Sequence, residues 1–189
     1  MIGAPRSGTH YTAAVLRRAG LDIGHEVVRD DGTVSSLFVA DDYYYPGPDP
    51  GGRRSEFAFD HVFHQTRHPL AAIASIAAFM PITRWHWQEK HTGVSYDLPP
   101  LSRAARAWLG FNRLAEDADP ELRFRVEALP EVWPEVASRL SLGETPCPEV
   151  STNLHALQRP KVKVTWEALG VDEEPVRLAA HRYGYGEAS

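Results

Sequence analysis

Cysteine occurs once in the 189 residues, at Cys147. An internal disulfide is therefore impossible, and so is a metal site built from several thiolates. Cys147 lies in Thr145-Pro146-Cys147-Pro148, whose prolines mark a loop. Lysine is scarce too: Lys90, Lys161 and Lys163 are the only ones, and arginine supplies the rest of the 20 basic residues. No apolar run reaches membrane-spanning length. Arg6 and Ser7 interrupt the start of the chain too early for a secretory apolar segment, so the chain reads as cytoplasmic. Positive charge is not in excess either. The formal net charge is −5, which argues against nucleic acid or an anionic membrane as the partner of the whole surface. Any anion site must be local.

What remains is an ordinary globular composition, 43% hydrophobic and 24% charged, of a size that suits one domain over residues 1–189. No internal repeat divides it. Residues 1–24 read as a strand end, a glycine loop, a helix starting at Thr9 and stopped by Gly20, and a short second strand. The helix would bury Ala13, Leu16 and Ala19. Residues 30–56 are irregular and carry Tyr43, Tyr44 and Tyr45 before a Pro/Gly-rich stretch, a binding loop or plain disorder. A strand is expected over 61–66 and a helix over 70–79 with Pro69 at its start. Residues 84–92 are rich in Trp and His. A helix over 101–116 would bury Leu101, Ala105, Trp108 and Phe111. A strand over 123–126, a helix over 129–140 whose start Pro134 limits, a basic loop or strand over 153–164 and a helix over 171–183 complete the chain. Alternating strands and helices predict an α/β fold with a mostly parallel central sheet flanked by helices.

Gly3-Ala4-Pro5-Arg6-Ser7-Gly8-Thr9 is the most informative segment. It has the spacing of a phosphate-binding P-loop but ends in Thr9-His10, without the Lys-Ser/Thr pair that a nucleoside triphosphatase needs for the terminal phosphates and Mg²⁺. Arg6 sits inside the loop instead. Backbone N–H groups would still cradle an anion, and Arg6 can fork onto two of its oxygens. A sulfuryl group carries less charge than a terminal phosphoryl group, so its transfer can proceed without a metal. The bland reading is a Gly/Ser/Thr turn before a helix.

Arg67-His68-Pro69 ends the strand expected at 61–66, and Ser75 follows eight residues after Arg67. With these residues the chain resembles the sulfotransferases that use 3′-phosphoadenosine 5′-phosphosulfate. That family pairs a Pro-Arg/Lys-Ser-Gly-Thr loop with a later Arg-x-Pro…Ser element. The resemblance implies a P-loop-containing three-layer fold. It implies that Pro5, Arg6, Ser7, Gly8, Thr9 and His10 hold the 5′-phosphosulfate, and that Arg67 and Ser75 hold the 3′-phosphate. Arg123 to Leu129 looks like the family's strand and Glu-x-Leu segment. Thr165 to Leu169 and Tyr183-Gly184-Tyr185 look like the tail of bacterial members. Two departures stand out: Ala71 replaces an acid common in the family, and the C-terminal glycine-rich cofactor loop is not evident. Arg159, with Lys161 and Lys163, is the candidate to serve there, against a solvated basic strand.

Transfer also needs a base for the acceptor's proton. Gly24-His25-Glu26 follows the first helix and a short strand. In one branch of the family a glutamate at this place is the base, which implies Glu26, with His25 as the alternative; a loop glutamate paired with Arg17 or Arg29 is the structural reading. The acceptor would be a hydroxyl or amine on a small molecule or glycan. Trp85, Trp87 and the three tyrosines could wall it or simply pack. His64, His68, His86 and His91 lack ligand spacing, so no metal is expected. The rival readings are a P-loop small-molecule or nucleoside kinase and a non-catalytic nucleotide-binding relic.

Overall fold

The computed structural model describes residues 1–41, 53–79, 85–151 and 163–186. Each strand in it is short, and three run through a turn into a helix. Strand β1 (Ile2–Gly3) leads to α1 (Thr9–Arg18), β4 (Phe63–Thr66) to α2 (Pro69–Phe79), and β5 (Leu122–Arg125) to α5 (Leu129–Arg139). Strands β2 (Gly24–His25) and β3 (Thr33–Val34) lie between the first two units. Helices α3 (Trp85–Thr92) and α4 (Pro100–Glu116) follow α2, and α6 (Glu173–Arg182) follows a 3₁₀ turn over Glu167–Asp172.

The expected mixture of helices with parallel strands is present. β1, β4 and β5 form a three-stranded sheet in the order β1–β4–β5, parallel throughout, and β2 and β3 form a parallel pair. A single parallel bridge between Ile2 and Ser35 brings the two together, with Gly3 N–H donating to the Ser35 carbonyl at 3.2 Å and Ser35 N–H to Met1 at 3.0 Å. The crossover from β2 to β3 spans only residues 26–32, far less than the dozen residues such a connection ordinarily takes.

Apolar side chains gather in two clusters. Ala72, Ile73 and Ile76 of α2 pack with Ala104, Trp108 and Phe111 of α4 and Val176 and Ala179 of α6. Ala13, Val15 and Leu16 of α1 pack with Leu129, Trp133 and Val136 of α5 around Phe63 and Phe124. Phe63 serves the second cluster while His64, next in the strand, reaches Asn112 on α4, the two-residue alternation of a strand buried on both faces. The stripe predicted on α4 holds at Ala105, Trp108 and Phe111, with Leu101 only half-buried.

Two sequence expectations change, and one stretch without an expected structure acquires one. Pro134 does not limit the start of α5: the helix begins at Leu129, with Pro130 in its first turn, and Pro134 lies inside it. Pro134 costs the helix one N–H, and the burial of Leu129, Trp133, Val136 and Ala137 offsets that loss. The Trp/His-rich stretch is helical over Trp85–Thr92, and the last helix starts at Glu173, because Val171 and Asp172 belong to the 3₁₀ turn before it. Among the described residues no helix is long and apolar enough to cross a membrane.

Candidate functional site

The loop after β1 is shaped by contacts at close range. A Cβ on Gly3 would stand 2.5 Å from the Gln65 carbonyl oxygen and 2.8 Å from Ser7 Oγ, so only glycine lets β1 and the returning loop meet here. Ser7 N–H donates to the Ala4 carbonyl at 3.0 Å, closing a four-residue turn. Pro5 supplies the second position of that turn, and Arg6 takes the third at φ 67°. Gly8 follows at φ 92° and begins α1 without any side-chain cap. The first-turn N–H groups of a helix have no partner in their own ladder, which makes this end suited to an anion. Ser7 is fully buried; Gln65 Nε2 donates to its carbonyl at 2.9 Å and to its hydroxyl at 3.3 Å.

Two arginines meet at this turn. Arg67, one residue past the end of β4, donates from Nη1 to the Arg6 carbonyl at 3.1 Å. Arg6 donates from Nε to Ser75 Oγ on α2 at 2.8 Å. Residues 61 and 69 positions away along the chain thus converge on Arg6. Arg67 at the Arg6 carbonyl and the Arg6 guanidinium on Ser75, with the helix end beside them, form a donor-rich set whose complement is an anion.

The end of β2 joins the same neighbourhood. His25 Nε2 lies 2.9 Å from Thr9 Oγ1, and its ring stacks on that of His10 with centroids 3.5 Å apart. Glu26 turns the chain at φ 57° while its N–H still bonds Val34 at 3.1 Å. Its carboxylate is anchored across the short crossover. Ser35 Oγ donates to Oε2 at 2.5 Å; Ser36 donates to Oε1 from its backbone at 3.0 Å and its hydroxyl at 2.7 Å. His25 Nε2 stands 4.0 Å from the same Oε1. Arg17 and Arg29, the partners of the structural reading, go elsewhere: Arg17 Nε to the Ile23 carbonyl and Arg29 to Asp22.

The fold therefore gathers Pro5, Arg6, Ser7, Gly8, Thr9, His10, His25, Glu26, Arg67 and Ser75 around one strand-edge turn. Arg159, Lys161 and Tyr43 to Tyr45 lie outside the described residues, as do the side chains of Trp85, His86 and Trp87. The histidines separate. His64 is fully buried against Asn112 Oδ1 at 3.0 Å, and burial lowers its pKa to about 4. His68 packs edge-on to Tyr185 instead. Among the described residues no group of three His, Cys, Asp or Glu could hold a metal ion.

Gln65, Ser35 and Ser36 belong to the site's supports and were not singled out by the sequence; Glu127, of the Glu-x-Leu segment, accepts the His68 N–H at 2.9 Å beside Arg67. Gln65 carried a signal, since it is a polar residue inside the strand expected at 61–66, two positions before Arg67. The serine pair carried none. No protein-family model matches the chain, and no curated protein or solved structure matches it.

Proposed function

We propose that this protein is a sulfotransferase of P-loop three-layer architecture that takes 3′-phosphoadenosine 5′-phosphosulfate as donor and a hydroxyl or amine as acceptor. One observation carries the reading: the two motifs that suggested it, the loop at 3–9 and the Arg67…Ser75 element, touch at Arg6. The supporting residues are hydrogen-bond donors and cations, Arg6 and Arg67 among them. This set suits a ligand bearing separate anionic groups.

In this reading the loop from Pro5 to His10 holds the 5′ end of the nucleotide and Arg67 with Ser75 its 3′-phosphate. When bound, that nucleotide supplies the sulfuryl group, which leaves its phosphate oxygen for the acceptor's oxygen or nitrogen. Arg6 orients the transferring end and balances charge there. Glu26, at the neighbouring strand end, takes the acceptor's proton. A second assignment has a specific observation in its favour: both oxygens of Glu26 already accept bonds from Ser35 and Ser36. His25 then takes the proton, while Glu26 holds the crossover and its negative charge beside the imidazole.

Calorimetry tests the donor assignment, with the bisphosphate titrated in the absence of metal. Adenosine 3′,5′-bisphosphate should bind more tightly than ATP with Mg²⁺. The reverse order would support the kinase reading. Tight bisphosphate binding with no transfer from labelled donor to sugars, phenols or amines would support the relic.

A further inference from the structure

The turn that follows α6 reaches the edge where Arg67 sits. Tyr185 Oη donates to Glu127 Oε2 at 3.0 Å, and Glu127 Oε1 accepts the backbone N–H of His68 at 2.9 Å. Tyr185 Oη also lies 3.3 Å from Thr66 Oγ1. The phenol has one proton, and Glu127 receives it; the Thr66 hydroxyl is then the donor to the phenol oxygen, in competition with the Phe124 carbonyl. Thr66 and His68 flank Arg67, so both of its chain neighbours are tied to one phenol–carboxylate pair. The ring is held as well. His68 packs edge-on at 5.4 Å, the Arg125 guanidinium lies 5.8 Å from the ring centroid, and Arg125 Nη1 bonds the Gly184 carbonyl at 3.1 Å. Burial raises the Tyr185 phenol above its ordinary pKa, which keeps it a donor.

We propose that Tyr185 and Glu127 are positioning residues: they clamp the turn at the end of β4 so that Arg67 can hold the Arg6 carbonyl and face an anion at the same time. The role in ligand choice rests on the assignment of Arg67 to the 3′-phosphate; the clamp itself does not.

Tyr185→Phe removes only the hydroxyl, and Glu127→Ala removes the shared acceptor. Amide hydrogen exchange reads the clamp with no ligand present. Exchange at His68 should quicken about fivefold or more in either variant, the scale of one lost bond to a carboxylate. Calorimetry then compares adenosine 3′,5′-bisphosphate with adenosine 5′-phosphate. Tyr185→Phe should cut the preference for the bisphosphate about fivefold and leave 5′-phosphate affinity within twofold. Adding Tyr185→Phe to Arg67→Ala should lower that preference no further, because the hydroxyl acts through Arg67. Unchanged exchange at His68 overturns the clamp. Equal loss for both nucleotides, or additive losses in the double variant, overturns its action through Arg67. A wild-type protein with no preference for the bisphosphate instead defeats the sulfotransferase reading, and the exchange rates still decide the clamp.

Discussion

Arg6 Nε donates to Ser75 Oγ at 2.8 Å, which joins the loop after the first strand to a helix 69 residues further on. The carbonyl of Arg6 is held by Arg67 at 3.1 Å. An arginine at φ 67° is strained on its own, and these two bonds hold it in place.

Arg67→Ala should separate the two ends of the nucleotide. On the proposed assignment it removes a charge-assisted contact, worth roughly 1.5–3 kcal/mol, from the 3′-phosphate. Adenosine 5′-phosphate should weaken far less, through the loosened Arg6 carbonyl alone. Titration calorimetry with both ligands measures the difference. Parallel losses would show that Arg67 serves the loop and does not read the 3′-phosphate.

Glu26→Gln and His25→Gln distinguish the two candidate bases. The true base should cost about 10²- to 10⁴-fold in turnover and spare donor affinity. Glu26→Gln also places an amide against the donors of Ser35 and Ser36. A lowered melting temperature with near-normal turnover would therefore assign Glu26 to the crossover and the proton to His25.

The glycines of the loop should resist substitution for different reasons. Gly3→Ala drives a Cβ against the Gln65 carbonyl oxygen at 2.5 Å, and overpacking of this kind costs about 1–3 kcal/mol. In Gly8→Ala a backbone at φ 92° adds strain to a 2.9 Å contact with Val126 Cγ2. Pairing Gly8→Ala with Val126→Ala should restore only the packing part. Urea denaturation reads both, and full recovery in the pair would mean that the backbone angle carries no cost.

His64 should make the fold sensitive to mild acid. Burial holds its pKa at about 4 against an ordinary 6.5. Between those values the unfolded chain binds a proton that the folded chain refuses. Stability is then complete above pH 6.5 and declines as pH falls toward 4, by about 3 kcal/mol in all. His64→Gln keeps a donor for Asn112 and does not titrate. Its stability should be flatter than wild type between pH 4.5 and 6.5 in urea denaturation. Equal slopes would place the acid sensitivity elsewhere.

Legibility from sequence followed the range of the forces involved. Pro69 at the start of α2 and the apolar spacing of α4 are local signals, and the elements formed where they pointed. The helix at Trp85–Thr92 was not foreseen, and Pro134 was misread as a boundary because its neighbours' burial was invisible.

Turn chemistry and periodicity are properties of neighbouring residues, so the sequence by itself determined the α/β character, the Gly3–Thr9 turn and the two arginine-bearing motifs. Which groups meet is a matter of packing across tens of residues. Only the tertiary structure decided that Arg6 would bond Ser75 and Arg67, that Ser35 and Ser36 would take both oxygens of Glu26, and that Tyr185 would reach Glu127 beside Arg67. The Arg6 and Tyr185 contacts depend on strands β1, β4 and β5 aligning in parallel register, which brings their ends, and the turns that follow them, to one edge; the Glu26 contact depends on the parallel pairing of β2 with β3.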